Sequence, residues 1–467
     1  MTISEVAYGF MQRWDGVFAQ ERTLLKVIRT AFCLLLNPSR NTITQSLVYG
    51  GLENEDWSSV YKLFSRSKWS DSCIFKPVLE ETASYFHENY ITLAVDDTKI
   101  KKTGKTIPKT GYYRDPLSPP FHTNFIYGHR VLQFSALLPL YREIKAESDD
   151  EERHYHVCRG IPVSVNNVPA LKKPGKKATE EEFITYKRMK KKNNLSLAFI
   201  EDVKALRQGY DEVGAKDKML LIVADGSFCN STVFRAILEN TTIAARCRLD
   251  ARLCLEDVTS SKRFYSKDCF TPLSVRQDER IPYKTTELYV GKKLRNVRYK
   301  EVKDVLWQRG AGRKKLRLIV IAPKPYHSYG RKRLYKQEAY ILTDNSELDA
   351  ETIIQQYINR WEIEVNHRDE KNNLGLGQAQ VWNLQSVIKQ PALLIAAYSI
   401  MLLAGLKCYG TERSEHFLPQ PIWRKGSVRP SCNDLVNLMR RDLAANTLLI
   451  NMLNLNIGKQ IDYCVNQ

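Results

Sequence analysis

The sequence contains cysteines but no pair at the CxxC spacing that is typical of zinc and redox motifs. Its ten cysteines are scattered, and the only tight group of potential metal ligands is His154, His156 and Cys158. A strand with alternating polar residues explains this group as well as a zinc site does. A disulfide framework is not expected in a chain of 467 residues that lacks a signal peptide.

Targeting segments, membrane spans and internal repeats are also missing. Residues 1–19 contain no basic stretch followed by an apolar core, so they do not form a signal peptide. The longest apolar run, at 392–406, is shorter than the roughly 20 residues that span a bilayer. We interpret it as a buried helix. We expect no membrane association and a bacterial-type cytoplasmic location, with the protein on the nucleoid when it is bound.

Acidic residues are too few to balance the basic ones. The chain has 71 Lys and Arg residues against 52 Asp and Glu residues, which gives a net charge of +19 and a pI near 9.3. An excess of this size indicates a polyanionic partner, and double-stranded DNA is the expected one. An anionic membrane surface is the alternative, but no polybasic amphipathic helix stands out. The chain length predicts two or three domains.

The first part of the chain has the apolar periodicity of helices. Residues 1–88 predict a helical domain, in which helices at 41–49 and 53–64 are separated by Gly50 and Gly51. Such a hairpin can place its second helix in the major groove of DNA. It can equally be a plain hairpin in a helical bundle. A helix is also predicted at 179–209.

Residues 250–340 predict short strands separated by basic turns. Between 284 and 336, seventeen Lys or Arg residues are opposed only by Glu287, Glu301 and Asp304, and tyrosines and Trp307 are interleaved among them. Basic strands with aromatic residues suit a phosphate backbone and unstacked bases. A solvated surface would balance its charges better, so we predict contact with DNA.

Two apolar strands are each predicted to run into an aspartate. Residues 91–95 are followed by Asp96 and Asp97, and residues 219–224 are followed by Asp225. Further apolar runs at 131–140 and 160–165 predict two more strands. Catalytic groups in α/β sheets commonly lie at such strand ends. Aspartate is also a frequent turn former, so each aspartate alone indicates little.

The most informative spacing lies near the C-terminal end. Tyr357, Arg360, Glu364 and Lys371 would fall within roughly a 60° arc of one helix. One helical face would then carry an aromatic ring, a guanidinium, a carboxylate and an ammonium group. The alternative is a solvated helix with ion pairs between residues four positions apart. The two upstream aspartate strands favour a functional face.

Folding can bring Asp96, Asp225 and Glu364 together. Carboxylate oxygens suit Mg²⁺, with Mn²⁺ as the alternative ion. Two such ions, roughly 3.5–4 Å apart, can activate a water or a 3′-hydroxyl and stabilise the leaving oxygen. Phosphoryl transfer on DNA requires little beyond positioning and charge neutralisation.

With these residues the chain resembles a DDE transposase of the insertion-sequence-4 group. Tyr357-x2-Arg360-x3-Glu364-x6-Lys371 matches that group's YREK signature without a gap. Asp225 matches the strand of the second aspartate, and Asp96 matches the apolar strand–Asp–x–Thr pattern of the first. The resemblance covers about residues 55–405 and includes the segment 56–69 before the first strand.

The resemblance implies a fold and a domain organisation. The fold is an RNase H-like mixed sheet flanked by helices, with an inserted β-rich subdomain and with helical regions at both ends. The implied boundaries are 1–88 for the N-terminal DNA-binding domain, 89–249 with 341–406 for the catalytic core, 250–340 for the basic insertion, and 407–467 for a C-terminal helical region. Residues 433–454 predict a helix–helix contact, either with a partner subunit or within the chain's own core.

The resemblance also implies residue roles. Asp96, Asp225 and Glu364 would be the catalytic ligands of two Mg²⁺ ions, with Asp97 as the alternative first ligand. Tyr357, Arg360 and Lys371 would contact DNA phosphates. Trp361 would hold a flipped base. Trp307 is a candidate for a second aromatic residue with this role, or it packs in the core of the insertion.

The implied activity is binding of terminal inverted repeats, cleavage at transposon ends and joining of 3′-hydroxyls to target DNA by a homodimer. The alternatives are a catalytically inactive transposase-derived DNA-binding protein, such as a repressor or inhibitor, and another RNase H-like nuclease.

Overall fold

The computed structural model describes residues 1–115, 118–119, 121–145, 152–169, 171–259, 262–291, 293–326, 334–423 and 429–456. The description does not extend to the side chains of 142–145, 152–156, 325–326 and 334–336. The described chain is a mixed α/β protein in which a mixed sheet of 12 strands is flanked by helices. The predicted class is confirmed at this level.

The N-terminal region is helical, as predicted. Its helices are α1 (Ile3–Gln12), α2 (Glu21–Leu36), α3 (Ile43–Tyr49), α4 (Ser58–Ser65) and α5 (Lys76–Ala83), with a short 3₁₀ helix at Cys73–Phe75. The helix predicted from residue 53 begins only at Ser58, so that part of the prediction was wrong. Gly51 adopts a φ of 67°, and residues 53–57 form turns rather than helix.

Five strands form the part of the sheet that carries the aspartates. They are β1 (Tyr90–Lys101), β3 (Phe125–Lys145), β4 (Glu152–Asn167), β5 (Met219–Ala224) and β6 (Thr241–Arg246), and the short edge strand β2 (Gly111–Arg114) pairs with β3. Strand β3 pairs antiparallel with β1 and with β4, whereas β5 pairs parallel with β1 and with β6. The carboxyl ends of β1 and β5 therefore point the same way.

The first aspartate strand is longer than predicted. Strand β1 does not end at Asp96 but continues to Lys101, because its pairing with β3 continues from Leu93 to Lys101. Its parallel pairing with β5 stops at Val95. The strands predicted at 131–140 and 160–165 are likewise the central parts of the longer β3 and β4, whose polar ends pair with each other.

Helices cover both faces of these strands. On one face, alternate residues such as Ala94 and Val223 pack against Ile353, Ile354 and Ile363 from the helices α10 (Ala350–Asn359) and α11 (Trp361–Asn372). On the other face, Leu93, Val95 and Ile222 join the larger core that includes α7 (Leu195–Glu212).

The helix predicted at 179–209 is divided in two. Helix α6 (Glu180–Lys192) ends at Asn193, and Asn194 caps α7 by accepting a hydrogen bond from the Leu197 N–H at 2.9 Å. Helix α6 buries none of its side chains, so its basic run lies in solvent. The division follows from the two asparagines, which favour helix ends over helix interiors.

The predicted insertion continues the same sheet. Strand β6 pairs with β14 (Ala339–Thr343), β14 with β11 (Lys315–Ile321), and β11 with β10 (Lys293–Leu306). The elements here are α8 (Ser231–Phe234), β7 (Leu253–Glu256), β8 (Tyr265–Phe270), α9 (Pro272–Gln277), β9 (Lys284–Val290), β10 (Lys293–Leu306), β11 (Lys315–Ile321), β12 (Lys324–Tyr326), β13 (Leu334–Lys336) and β14 (Ala339–Thr343). The predicted β-rich character is confirmed, and the sheet crosses both predicted boundaries of the insertion without a break.

Helix α12 (Leu384–Tyr409) is the apolar centre of the helical part. It is the one described helix that is long and apolar enough to cross a membrane, and 78% of its most apolar window is buried inside the protein. This is consistent with the core helix of a soluble protein, as predicted for 392–406. The C-terminal helices α13 (Cys432–Ala445) and α14 (Thr447–Met452) follow, and α13 packs on α1, α2 and α12. The apolar spacing at 433–454 thus serves the chain's own core.

Candidate active site

The register of two parallel strands places Asp96 beside Asp225. Val95 pairs with Ala224, and each aspartate is the next residue of its chain. Neighbouring strands lie about 4.8 Å apart, so the two backbones carry these carboxylates at adjacent positions. Asp96 has the strand parity of Ala94 and Asp225 has that of Val223, so both side chains point to the face covered by α10 and α11.

The same alternation separates Asp96 from Asp97. Asp97 has the parity of Val95, whose side chain packs in the core on the opposite face. There Asp97 forms an ion pair with Lys99 at 2.8 Å. Of the two aspartates that the sequence left as alternatives, Asp96 is therefore the one that faces α11.

Asp96 is a mostly buried carboxylate close to several charged groups. Burial raises its pKa, and the charges of Asp225 and Asp97 raise it further. His367 and Arg360 act in the opposite direction. Within the described residues, its only hydrogen bond comes from the Asp97 N–H, at 2.8 Å. A cation next to Asp96 and Asp225 would relieve their repulsion.

Asp225 lies at the rim of an open cleft. Its carboxylate caps a 3₁₀ helix (Gly226–Phe228) by accepting hydrogen bonds from the Ser227 N–H at 2.9 Å and the Ser227 hydroxyl at 3.2 Å. The cleft has a volume of about 800 Å³, and Arg246, Tyr357 and Arg360 also line it. Two guanidinium groups and a phenol beside a carboxylate suit a phosphate next to a metal ion.

The predicted signature helix is interrupted at Arg360. Helix α10 ends at Asn359 and α11 begins at Trp361, so the prediction of one continuous helical face was wrong at this residue. Arg360 keeps right-handed helical angles, with φ −50° and ψ −26°. Arg360 forms an ion pair with Glu364 at 3.0 Å and lies over the Tyr357 ring at 5.9 Å. Arg360 thus contacts two other signature residues, Tyr357 and Glu364.

Lys371, the last signature residue, contacts strand β1 directly. Its ammonium group donates a hydrogen bond to the Thr98 hydroxyl, two residues beyond Asp96 and on the same strand face. Burial lowers the pKa of Lys371, the carboxylates of Glu370 and Asp96 oppose this shift, and Lys99 and Lys101 add to it. Lys371 therefore lies in a crowded basic region at the edge of the site.

The two tryptophans considered from the sequence have different environments. Trp361 is the first residue of α11, and 62% of its surface is exposed. Trp307 is partly buried and packs edge-on against Phe234, with ring centroids 5.9 Å apart. Trp361 is accessible to a ligand, whereas Trp307 takes part in packing.

A buried polar chain lies beneath the site and was not predicted. Gln133 is paired with Asp96 in the β1–β3 register, and its amide donates to fully buried Glu370 on α11 at 2.7 Å. The other oxygen of Glu370 lies 3.4 Å from Nδ1 of His367, whose buried Nε2 has no hydrogen-bond partner among the described residues. Arg246 in the cleft was also missed. Its position at the end of β6, the strand after Asp225, was the available signal.

The described residues contain no group of three or more His, Cys, Asp or Glu side chains placed to hold a metal ion. Glu364 is engaged by Arg360, which leaves Asp96 and Asp225 as the adjacent carboxylate pair. The side chains of His154 and His156, considered for zinc from the sequence, lie outside the described residues, and Cys158 is buried.

The basic residues of the insertion divide into two groups. Lys300 and Arg317 are buried, Lys300 donating to backbone carbonyls such as Asp278 O at 2.7 Å and Arg317 pairing with Glu301 at 2.6 Å. Lys293, Arg295, Arg298, Lys303 and Arg309 are exposed. Part of the predicted DNA-binding charge thus has a structural role, and the exposed part remains a predicted DNA contact.

No protein family model matches the chain, and no curated protein matches it either. Function therefore rests on the geometry of the site and on the signature in the sequence.

Proposed function

We propose that the protein is a metal-dependent DNA transposase with an RNase H-like core. The observation that carries the proposal is the register that sets Asp96 next to Asp225, on the face covered by the helices of Tyr357, Arg360 and Glu364. The mixed sheet flanked by helices is compatible with the proposed core. The net charge of +19 suits a DNA substrate.

The carboxylates of the site are ligands of the type that hard divalent cations prefer. Asp96, Asp225 and Glu364 would hold Mg²⁺ or Mn²⁺ through carboxylate oxygens, once Glu364 exchanges its ion pair with Arg360 for the metal. When bound, the ions would supply charge neutralisation and activation of a water or a 3′-hydroxyl. The proximity of Asp96 to Asp225 favours cation binding, since a cation stabilises both charged carboxylates.

The surrounding side chains would bind and orient DNA. Arg360 and Arg246 line the cleft next to Asp225 and would bind phosphate oxygens with paired N–H donors. Tyr357 would add a hydroxyl contact, and Lys371 a point charge beyond Asp96. Exposed Trp361 would stack on an unpaired base near the cut.

At the level of the whole protein, the N-terminal helices would recognise the terminal inverted repeats. The core would cleave the transposon ends and join their 3′-hydroxyls to target DNA. Two ends must be held together, so a homodimer on DNA is proposed.

A catalytically inactive, transposase-derived DNA-binding protein is the second candidate. The Arg360–Glu364 ion pair favours it, because an arginine there neutralises the carboxylate that a metal ion would otherwise need. Such a protein would bind repeat ends as a repressor or inhibitor and would not cut them.

The test is cleavage of a labelled DNA that carries the element's own flanking terminal repeat, in Mg²⁺, by the wild type and by Glu364→Ala. Repeat-specific cutting that Glu364→Ala abolishes while binding persists supports the transposase. Binding without cutting by either protein supports the inactive candidate. Cutting that ignores the repeat, or that survives the substitution, contradicts the assignment of this site.

A further inference from the structure

A strip of aromatic and basic side chains lies on the sheet edge beyond the candidate active site. It consists of Tyr112, Arg114, Phe125 and Tyr127, and we call it the β2–β3 strip. Tyr112 pairs with Tyr127 and Arg114 pairs with Phe125 in the antiparallel register, so all four side chains point to one face. Tyr112 is 67% exposed and Phe125 is 65% exposed, and Arg114 is exposed as well.

The strip lies on the same face of the sheet as the candidate carboxylates. Phe125 and Tyr127 have the same strand parity as Gln133, which is paired with Asp96. Gln133 contacts Glu370 of α11, which fixes this face as the one that α11 covers. The face between the two is covered, since Ile100 is buried and Lys102 donates to the carbonyls of Gly377 and Ala379, so DNA would pass around this segment to reach the strip.

The strip is built to hold its rings in place. The hydroxyl of Tyr127 donates to the carbonyl of Lys105 at 2.9 Å and lies 2.7 Å from the Thr110 hydroxyl. The Tyr112 and Tyr127 rings contact each other with centroids 4.9 Å apart. Tyr112 thus rests on an anchored ring and presents its other side to solvent.

The charge around the strip is basic. Lys101, Lys105 and Arg114 are exposed along this hairpin, and within its described part Asp115 is the only acidic residue after Asp97. A peptide strand that paired with the short edge strand β2 would bind through its backbone and would not need this basic charge. Phosphate groups would be attracted by it. Exposed aromatic rings beside phosphate-binding cations are typical of single-stranded nucleic acid sites.

We propose that the β2–β3 strip binds a single-stranded DNA segment on one side of the cut, with bases stacked on Tyr112 and Phe125. The inference rests on the proposed function and extends it. Tyr127 lies six residues along β3 from Gln133, which corresponds to about 20 Å at about 3.4 Å per residue. The rise of about 3.4 Å per nucleotide holds for duplex DNA and an unstacked single strand extends up to about twice as far, so this distance corresponds to about three to six nucleotides from the cut.

The test measures binding of a fluorescent single strand of about 12 nucleotides and of the matching duplex, since a site of this kind spans several nucleotides. We expect Tyr112→Ala combined with Phe125→Ala to weaken single-strand binding about tenfold or more, and duplex binding less than about threefold, because stacking is lost. Tyr112→Phe keeps the ring and should bind like the wild type. Ile237→Ala, which removes a 92% exposed side chain elsewhere, is the matched control.

Position gives a second readout. A photoreactive base placed about three to six nucleotides from the expected cut should crosslink to Tyr112 or Phe125, whereas a base at the cut itself should not. If the double variant keeps its affinity for the single strand, or if the crosslinks form only to residues outside the strip, the proposal that the strip binds single-stranded DNA is wrong. Equal weakening of single strand and duplex overturns stacking as its mode of binding.

Failure of the strip and failure of the transposase are distinguishable in this design. If the wild type binds the single strand through the strip but never cuts a repeat end, the binding role of the strip is supported and the proposed cutting activity is wrong. If the wild type cuts and the double variant binds and cuts normally, the proposed activity is supported and the binding role of the strip is wrong. Melting temperatures of all variants verify that the proteins are folded.

Discussion

At the scale of the residue, the ion pair between Arg360 and Glu364 decides whether the Glu364 carboxylate is available to a metal ion. Their ion pair at 3.0 Å, with Arg360 also over the Tyr357 ring, gives the carboxylate a countercharge within its own helix pair. A divalent ion at Asp96 and Asp225 would compete for the same carboxylate. Arg360 would then be released towards the cleft, where a phosphate is its natural partner.

A second buried carboxylate gives a prediction on pH. Burial raises the pKa of Asp202 on α7 to about 7, the hydrogen bond from Asn166 at 2.9 Å opposes the shift, and the charges of Glu201 and Asp71 add to it. The folded state therefore favours the protonated form. Its contribution to stability is full below the unfolded pKa near 3.8 and is lost as the pH rises through about 7.

We expect Asp202→Asn, which cannot ionise, to remove this loss. The variant should gain stability over the wild type between pH 4 and pH 7 and keep the gain above pH 7. One pKa unit corresponds to about 1.4 kcal/mol, so the gain should reach a few kcal/mol. Urea denaturation of both proteins at pH 5 and pH 8 measures it. A difference between the two proteins that does not change with pH would contradict the buried, protonated carboxyl.

At the scale of the element, the position of α11 depends on a close approach to β4. Gly160 donates its N–H to Glu362 at 3.2 Å, and its carbonyl accepts from Asn366 at 3.0 Å. A Cβ at Gly160 would lie 2.8 Å from both the Asn366 amide oxygen and Glu362 Cβ. The absence of a side chain lets α11 lie close to β4.

Gly160→Ala should therefore displace α11 and reduce cleavage far more than it reduces DNA binding. We expect a loss of about 1–3 kcal/mol in the free energy of unfolding, as in other overpacked contacts. Gly175→Ala is the control, since a Cβ there meets nothing within 4 Å. Chemical denaturation and repeat cleavage measure both effects. Normal cleavage by a folded Gly160→Ala protein would mean that the position of α11 does not matter.

Elements differ in how well the sequence predicted them. Strand β5 was predicted with its observed bounds, because a short apolar run between Lys218 and Asp225 has no competing interpretation. Strand β1 was predicted too short, because its second half, from Asp96 to Lys101, is polar and is held by pairing with β3. Tertiary pairing of this kind leaves no apolar pattern in the sequence.

The candidate site was predicted in the same uneven way. The aspartates and the signature residues carry local patterns, and the choice between Asp96 and Asp97 needed only the face on which α11 lies. Arg246, His367 and Glu370 were missed because their roles depend on contacts between distant segments. The Gln133–Glu370 hydrogen bond, for example, joins residues 237 positions apart.

At the scale of the whole molecule, α12 joins regions that the sequence suggested as separate. It contacts α1, α2, α4 and α5 of the N-terminal region, α13 of the C-terminal region, and strand β4 of the sheet. The N-terminal and C-terminal helices thus share one apolar centre. If the N-terminal helices bind DNA, they are connected to the sheet by the buried helix α12 and not by a linker.

The net charge of +19 gives a prediction for the whole molecule. If the protein neutralises about six or more phosphates, its affinity for DNA should fall by about 10³ or more between 50 and 200 mM salt. Titration of a labelled duplex at several salt concentrations measures the slope. Asp96→Asn should keep the same slope, because it leaves the basic surfaces intact. An affinity that is nearly independent of salt would contradict the electrostatic account of the basic excess.

We propose that Asp96, and not its neighbour Asp97, joins Asp225 and Glu364 in the active site. The most direct measurement is Mg²⁺-dependent cleavage of a repeat end by Asp96→Asn and by Asp97→Asn, with DNA binding measured in parallel. We expect cleavage to fall about 1,000-fold for Asp96→Asn, because losing a metal ligand costs several kcal/mol of transition-state stabilisation. Asp97→Asn, on the opposite face and paired with Lys99, should stay within about threefold of the wild type. Equal losses in the two variants, or a larger loss in Asp97→Asn, would contradict the account.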